Sequence, residues 1–186
     1  MSRSIERSLA LIIFICVSPI FLFLIFLIKL SSEGPAIFWS DRFGKDSVIF
    51  SMPKFRTMLI ETPQKATHLL DDPDNYLTSV GKFLRKTSLD ELPQLISIIS
   101  GHMSFVGPRP SLFNQSDLQG LRKELNIDTL IPGVTGWAQV NGRDEISIQE
   151  KIKFEKEYLE RKSLSFDLYI IGLTFLKVFK SEGVSH

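Results

Sequence analysis

The chain has 186 residues, 44% hydrophobic and 23% charged, with a formal net charge of +1. That length suits one domain with a core, and so small a net charge gives no basis for binding nucleic acid through overall electrostatics, so any polyanion must be met by local clusters. The single cysteine, Cys16, excludes an internal disulfide, and no C-x-x-C metal pattern occurs.

Residues 1–8 are polar and carry Arg3 and Arg7. Leu9 to Ile28 is an almost unbroken apolar run, long enough to span a bilayer, with no small-residue cleavage site after it. Ser18-Pro19 interrupts this run near its middle, where proline removes a helix hydrogen bond. Basic residues flank both ends (Arg3 and Arg7 before, Lys29 after), so the positive-inside rule is met when both ends lie on the cytoplasmic side. A re-entrant hairpin that bends at Ser18-Pro19 meets this condition, with the freed carbonyl taken by Ser18 or a neighbouring segment. On these grounds alone a kinked single span stands level with it.

Ser31-Ser32-Glu33-Gly34-Pro35 is a turn-rich boundary. It divides a membrane segment, 1–30, from a cytosolic domain, 31–186. Ala36–Trp39 and Ser47–Phe50 read as short strands around a polar Asp41–Asp46 turn, and Lys54-Phe55-Arg56-Thr57-Met58 continues extended. Residues 61–79 read as helix, then a solvated Asp-rich loop without EF-hand spacing. Val80–Lys86 predicts a short helix or turn. In Ser88-Leu89-Asp90-Glu91-Leu92-Pro93-Gln94-Leu95, two adjacent acids precede apolar residues at helical spacing, which Gly101 ends. The acids therefore fall in the first turn of a half-buried helix, where they suit the macrodipole, and Ser88 and Glu91 have capping-box spacing. Ser88 and Asp90 both stand as candidates for the cap.

Gly107-Pro108-Arg109-Pro110 is neither helix nor central strand and holds Arg109 on a stiff loop. His102 has no His or Cys near it and reads as structural. Residues 116–129 predict a surface helix. Pro132-Gly133 and Asn141-Gly142 are turns that bracket a short extended piece carrying Trp137, with Arg143 at the tip. Ile146–Lys162 is an amphipathic helix rich in Lys/Glu pairs, and Leu164–Lys180 an apolar one that lies on the membrane interface or closes the core. The fold class is mostly helical α+β: a membrane helix-break-helix followed by a small domain with short strands and interfacial helices.

Two adjacent carboxylates among Lys54, Arg56, Arg85, Arg109 and Arg143, with no Walker loop, nucleophile elbow or His/Cys set, suit chemistry on a phosphate or pyrophosphate. Neighbouring helical side chains diverge by about 100°, so Asp90 and Glu91 cannot be an equivalent pair. The apolar anchor places one substrate in the bilayer. A membrane-anchored binding protein whose acids only cap a helix is the competing reading.

K-F-R-T-M (54–58), R-K-T-S-L-D-E-L-P-Q-L (85–95), M-S-F-V-G-P-R-P (103–110) and P-G-V-T-G-W-A-Q-V-N-G-R (132–143) resemble the bacterial sugar transferases, the monotopic phosphoglycosyl transferases, in their small single-hairpin form. The resemblance implies transfer of a sugar-1-phosphate from a UDP-sugar, of N-acetylated hexosamine type in many small relatives, to undecaprenyl phosphate, with UMP released. It implies Asp90 as nucleophile and Mg²⁺ ligand, and Glu91 as its assistant in orienting it and activating the acceptor. Lys54, Arg85, Arg109 and Arg143, and more weakly Arg56, match basic positions of the family's site. It also resolves Ser18-Pro19 in favour of the re-entrant break. It places the protein at the bacterial inner membrane with its catalytic domain on the cytoplasmic face, in contact with membrane lipids, at the first membrane step of surface glycoconjugate assembly. Downstream glycosyltransferases are the expected further partners.

Overall fold

A computed structural model describes residues 3–62, 73–142 and 146–180. Helix α1, Arg3–Ser31, is 29 residues long and is long and apolar enough to cross a membrane. The expected interruption at Ser18-Pro19 does not appear as a break, and the helix runs through it. Proline deprives the Ile15 carbonyl of its partner four residues on, and the Ser18 hydroxyl donates to that carbonyl at 2.7 Å. Helix α1 buries Ala10, Phe21, Leu24 and Ile28, half-buries Ile13, Phe14, Val17, Ile25 and Leu27 against the domain, and exposes Ile12, Ile15, Leu22 and Phe26.

Both ends of α1 are fastened to the same domain. At the N-terminal end Arg7 donates to the Ser100 carbonyl at 3.1 Å, and Glu6 accepts from the Ser104 hydroxyl at 2.9 Å. At the C-terminal end the Arg56 guanidinium donates to the Ser32 carbonyl (3.0 Å), the Ser32 hydroxyl (2.9 Å) and the Glu33 carbonyl. These contacts meet carbonyls that a helix end leaves without intrahelical partners.

Strands β1, Ile37–Phe43, and β2, Ile49–Phe55, form an antiparallel hairpin longer than the sequence pattern indicates, with Phe38 opposite Lys54 and Trp39 opposite Pro53. Pro53 is tolerated because a two-stranded ribbon has free edges. Helix α2, Ser79–Lys86, is capped by the Thr78 hydroxyl. The single helix expected from residue 88 is instead a 3₁₀ turn, Leu89–Glu91, followed by α3, Gln94–Ser100. Pro93, which has no N–H to give, stands at the junction.

Strand β3, Ser104–Val106, pairs in parallel with β4, Gly133–Thr135, and α4, Ser116–Glu124, lies in the connection. Gly107 and Gly133 permit the close approach of these two segments: a Cβ on Gly133 would collide with the Gly107 backbone nitrogen. Trp137 opens a short helix, α5, Trp137–Val140, and so is not on an extended piece; its ring packs on Phe166 at 5.1 Å and its indole N–H donates to Glu157. Helices α6, Ile148–Arg161, and α7, Leu164–Lys180, match their sequence patterns. Helix α7 closes the core with Phe166 and Ile170 and leaves Leu168, Phe175 and Leu176 exposed.

Three apolar clusters support the molecule. One joins β3, α4, α5, α6 and α7 around Tyr158 and Ile170. The other two seat opposite halves of α1, the first on Leu95, Ile98 and Met103, the second on Ala36, Phe55 and Leu84. The segment that carries the acids therefore lies between two parts of the domain that α1 binds together.

Candidate active site

Strand β2 presents Lys54, the 3₁₀ turn presents Asp90 and Glu91, and the loop after β3 presents Arg109. Ser88 enters the turn in the left-handed conformation (φ 56°), and its hydroxyl caps nothing. The capping box suggested by Ser88 and Glu91 does not form, and Asp90 caps no helix either. Glu91 turns its Oε1 to two cations, accepting from Lys54 Nζ at 3.0 Å and from Arg109 at 2.9 Å. Its backbone N–H donates to the Ser88 carbonyl.

Asp90 is the opposite case. Among the described residues its carboxylate takes no hydrogen bond, though Lys54, Glu91, Arg109 and Arg85 all act on it electrostatically. Burial raises its pKa above the ordinary 3.8, and the three cations offset that rise only in part. Burial would raise Glu91 too, but Arg109 and Lys54 outweigh it and hold the carboxyl well below the usual range. For Lys54 desolvation wins, and its pKa is lowered. Arg85 is set beside this group by its Nε–H, which donates to the Thr57 hydroxyl at 3.0 Å.

Arg109 rides on a segment whose carbonyls are all engaged. Pro108 accepts from Gly133 N–H (2.9 Å), Arg109 from the Arg122 guanidinium (2.9 Å), Pro110 from the Arg42 guanidinium (3.2 Å) and Ser111 from Phe43 N–H (3.0 Å). Two prolines in four residues remove donors from the loop, and backbone and side-chain donors of distant elements hold its carbonyls.

The cations and acids of three separate sequence blocks thus meet in one place, and the chain matches the model of the bacterial sugar transferases over residues 1–181. The chain belongs to the bacterial sugar transferase family. Its relatives include the sugar transferase EpsL of Bacillus subtilis, 38% identical over 184 residues, which covers 99% of this chain and 90% of EpsL. The UDP-glucose:undecaprenyl-phosphate glucose-1-phosphate transferase of Escherichia coli is 39% identical over 190 residues, covering 98% of this chain and 41% of that protein. The undecaprenyl-phosphate galactose phosphotransferase of Salmonella typhimurium is 31% identical over 199 residues, again 98% of this chain and 41% of the relative. The chain spans most of EpsL and about two fifths of the two enteric proteins. It is an enzyme of the transferase class.

In this transferase, Lys54, Asp90, Glu91 and Arg109 come together, with Arg85 alongside. Arg56 does not join them: β2 ends at Phe55, the strand alternation stops there, and the buried Arg56 guanidinium is committed to the end of α1. Arg143 lies outside the described residues. Arg42 and Arg122, which hold the Arg109 loop, carry no local signal in the sequence; Arg122 belongs to a helix whose charges suggest a solvated surface, yet it is buried. His102 is structural, its ring stacked on Phe50 at 5.7 Å and hydrogen-bonded to the Ser100 hydroxyl.

Among the described residues there is no group of three or more His, Cys, Asp or Glu able to hold a metal ion. An unengaged Asp90 carboxylate nevertheless fits Mg²⁺, which commonly takes one or two protein carboxylates and fills its octahedron with substrate phosphate oxygens and water.

Proposed function

We propose that this transferase moves a sugar-1-phosphate from a UDP-sugar to undecaprenyl phosphate through a covalent phosphosugar–Asp90 intermediate. The observation that carries this reading is the contrast within the acid pair: Glu91 is held through its Oε1 by both Lys54 and Arg109, while Asp90 is half-buried, takes no hydrogen bond among the described residues and is raised in basicity beside the same cations. In the first step an Asp90 oxygen attacks the sugar-bearing β-phosphorus. The bond from that phosphorus to the bridging oxygen breaks, and UMP departs with the electron pair. In the second step an oxygen of undecaprenyl phosphate attacks the same phosphorus and Asp90 leaves as carboxylate.

Lys54, Arg85 and Arg109 neutralise the phosphate oxygens, and Glu91 keeps Lys54 and Arg109 aimed before substrate arrives. A carboxyl held this far below its usual range is a poor proton acceptor. Glu91 therefore acts by orientation, and the acceptor phosphate, already an anion at neutral pH, needs no base. Mg²⁺ held by Asp90 and the diphosphate would supply further charge neutralisation on the leaving phosphate. Arg143 is proposed as another cation of the site on its sequence match.

The names of the relatives support the donor and acceptor classes, since they specify UDP-glucose, glucose-1-phosphate, galactose and undecaprenyl phosphate. They carry hexoses, and many small members of the family act on N-acetylated hexosamines, so UDP-glucose, UDP-galactose and their N-acetylated analogues form the panel in which the sugar is to be found. Fastening of both ends of α1 to one domain supports monotopic attachment to the cytoplasmic face of the inner membrane, and a re-entrant path would require α1 to bend at Ser18-Pro19 on insertion.

The test is UMP release with each UDP-sugar of the panel, Mg²⁺ and no lipid. The expected result is about one UMP per enzyme and an adduct on Asp90, both abolished in Asp90→Asn. Release by Asp90→Asn at the wild-type rate would remove Asp90 as nucleophile. Steady turnover without lipid would point to simple hydrolysis.

A further inference from the structure

A buried ion pair lies outside the acid–cation cluster. Arg122 on α4 and Glu155 on α6 have side chains only 5% and 2% exposed. Arg122 Nε–H donates to one Glu155 oxygen at 2.8 Å and a terminal nitrogen reaches the other at 2.5 Å, a two-pronged pairing. The remaining reach of the guanidinium is turned to the Arg109 loop: one terminal nitrogen also donates to the Arg109 carbonyl at 2.9 Å, and the other to the Ser111 hydroxyl at 3.2 Å. Arg122 thus straddles Pro110 and holds the residues on both sides of it.

Stability alone does not call for such a pair, because a buried ion pair can often be replaced by apolar side chains at little cost. Its placement has a different consequence. A continuous hydrogen-bonded chain runs from Glu155 through Arg122 to the Arg109 backbone, and from the Arg109 guanidinium to Glu91. Prolines on both sides of Arg109 leave positions 108 and 110 without an N–H to give, so the carbonyls of this stretch take much of its anchoring. Lysine at 122 could not replace the fork, since an ammonium is a point donor without its planar, multi-armed geometry.

We propose that Arg122, held by Glu155, is a positioning residue of this transferase: it fixes the Arg109 backbone and thereby the placement of the Arg109 guanidinium at the reacting phosphate. The inference rests on the reading of Arg109 as a phosphate-binding cation. A misplacement of about 1 Å in such a group costs on the order of 100-fold in rate.

The experiment is a double-mutant cycle on the burst of UMP release, using the 186-residue chain in detergent micelles with the UDP-sugar selected above and Mg²⁺. Four proteins are compared: wild type, Arg122→Met with Glu155→Met, Arg109→Ala, and all three substitutions together. The paired Met variant replaces the ion pair without stranding either charge. It is expected to lose about 10- to 100-fold in burst rate while keeping a cooperative thermal transition. In the Arg109→Ala background the same pair of substitutions is expected to cost no more than about twofold, because the group they position is gone.

A wild-type rate in the paired variant overturns the proposal, and so does a loss that multiplies with that of Arg109→Ala. If the paired variant does not fold, Arg122→Lys takes its place in the cycle with the same expectation and the same overturning results. A wild-type burst in Arg109→Ala would instead remove Arg109 from the site, a failure of the functional reading that is distinct from failure of the positioning.

Discussion

The molecule contains two carboxylate–cation centres joined through Arg109, and they are built to opposite ends. At Arg122–Glu155 every charged arm has a partner and the pair is sealed in the core. At Lys54–Glu91–Arg109 one carboxylate is satisfied by two cations, and its neighbour Asp90 is left unbonded in the same field. Closed pairing holds an element still. Pairing that leaves one acid unengaged, beside cations that cover only part of its burial cost, stores reactivity and gives up stability. The difference between the two centres sets the residue that reacts apart from the residues that hold.

Breaking one carboxylate in each centre should separate them most clearly. Glu155→Gln leaves a buried guanidinium without its counter-charge, and the expected loss is about 3–5 kcal/mol of unfolding free energy, read by chemical denaturation. Glu91→Gln is expected to act mainly on rate, lowering UMP release about 100-fold as Lys54 and Arg109 lose their common acceptor. Its stability effect should depend on pH. The folded pKa of Glu91 lies below its ordinary 4.5, so its contribution is complete above that value and is lost as pH falls through the folded one. Stability curves of wild type and variant should therefore converge in acid.

A subtler test is Lys54→Met. Lys54 holds the raised pKa of Asp90 down, so its removal should move the acid limb of the pH–rate profile to higher pH, with a loss of about 10-fold or more on the plateau. An acid limb that stays put would detach Lys54 from Asp90. The smallest expected effect is on the stability of Asp90→Asn. A raised folded pKa means that the ionised carboxylate costs the fold stability as pH rises from 3.8 through the folded value. The variant should melt at an equal or higher temperature than wild type at neutral pH, and the difference should vanish below pH 3.8.

Much of this was legible along the chain because local chemistry speaks locally. The apolar run of α1, the helices α6 and α7, and the stiff Gly-Pro-Arg-Pro loop follow from periodicity and proline alone. Ser18 and Pro19 are an instructive partial case. The lost hydrogen bond and its replacement by Ser18 could be anticipated, but the helix runs on through the pair where an interruption was expected. The capping box at Ser88 and Glu91 failed for a physical reason: two cations from distant segments offer Glu91 stronger partners than a backbone N–H does. Arg56 is drawn away from the acids by the same kind of competition, because strand alternation does not continue past the end of β2 and the Ser32 carbonyl and hydroxyl, just past α1, hold its guanidinium.

What the amino-acid sequence determined by itself was the inventory and part of its local geometry: an apolar anchor, two adjacent acids ahead of an apolar helical stretch, and four separate blocks carrying cations. Composition and spacing suffice there, since propensity, proline and hydrophobic period act over a few residues. Only the tertiary structure decided which cations meet which acid, that Glu91 is engaged and Asp90 is not, and that a buried Arg122 reaches across the core to the loop bearing Arg109. Those outcomes depend on burial and on competition among partners separated by 13 to 37 residues, and both arise only once the chain has packed.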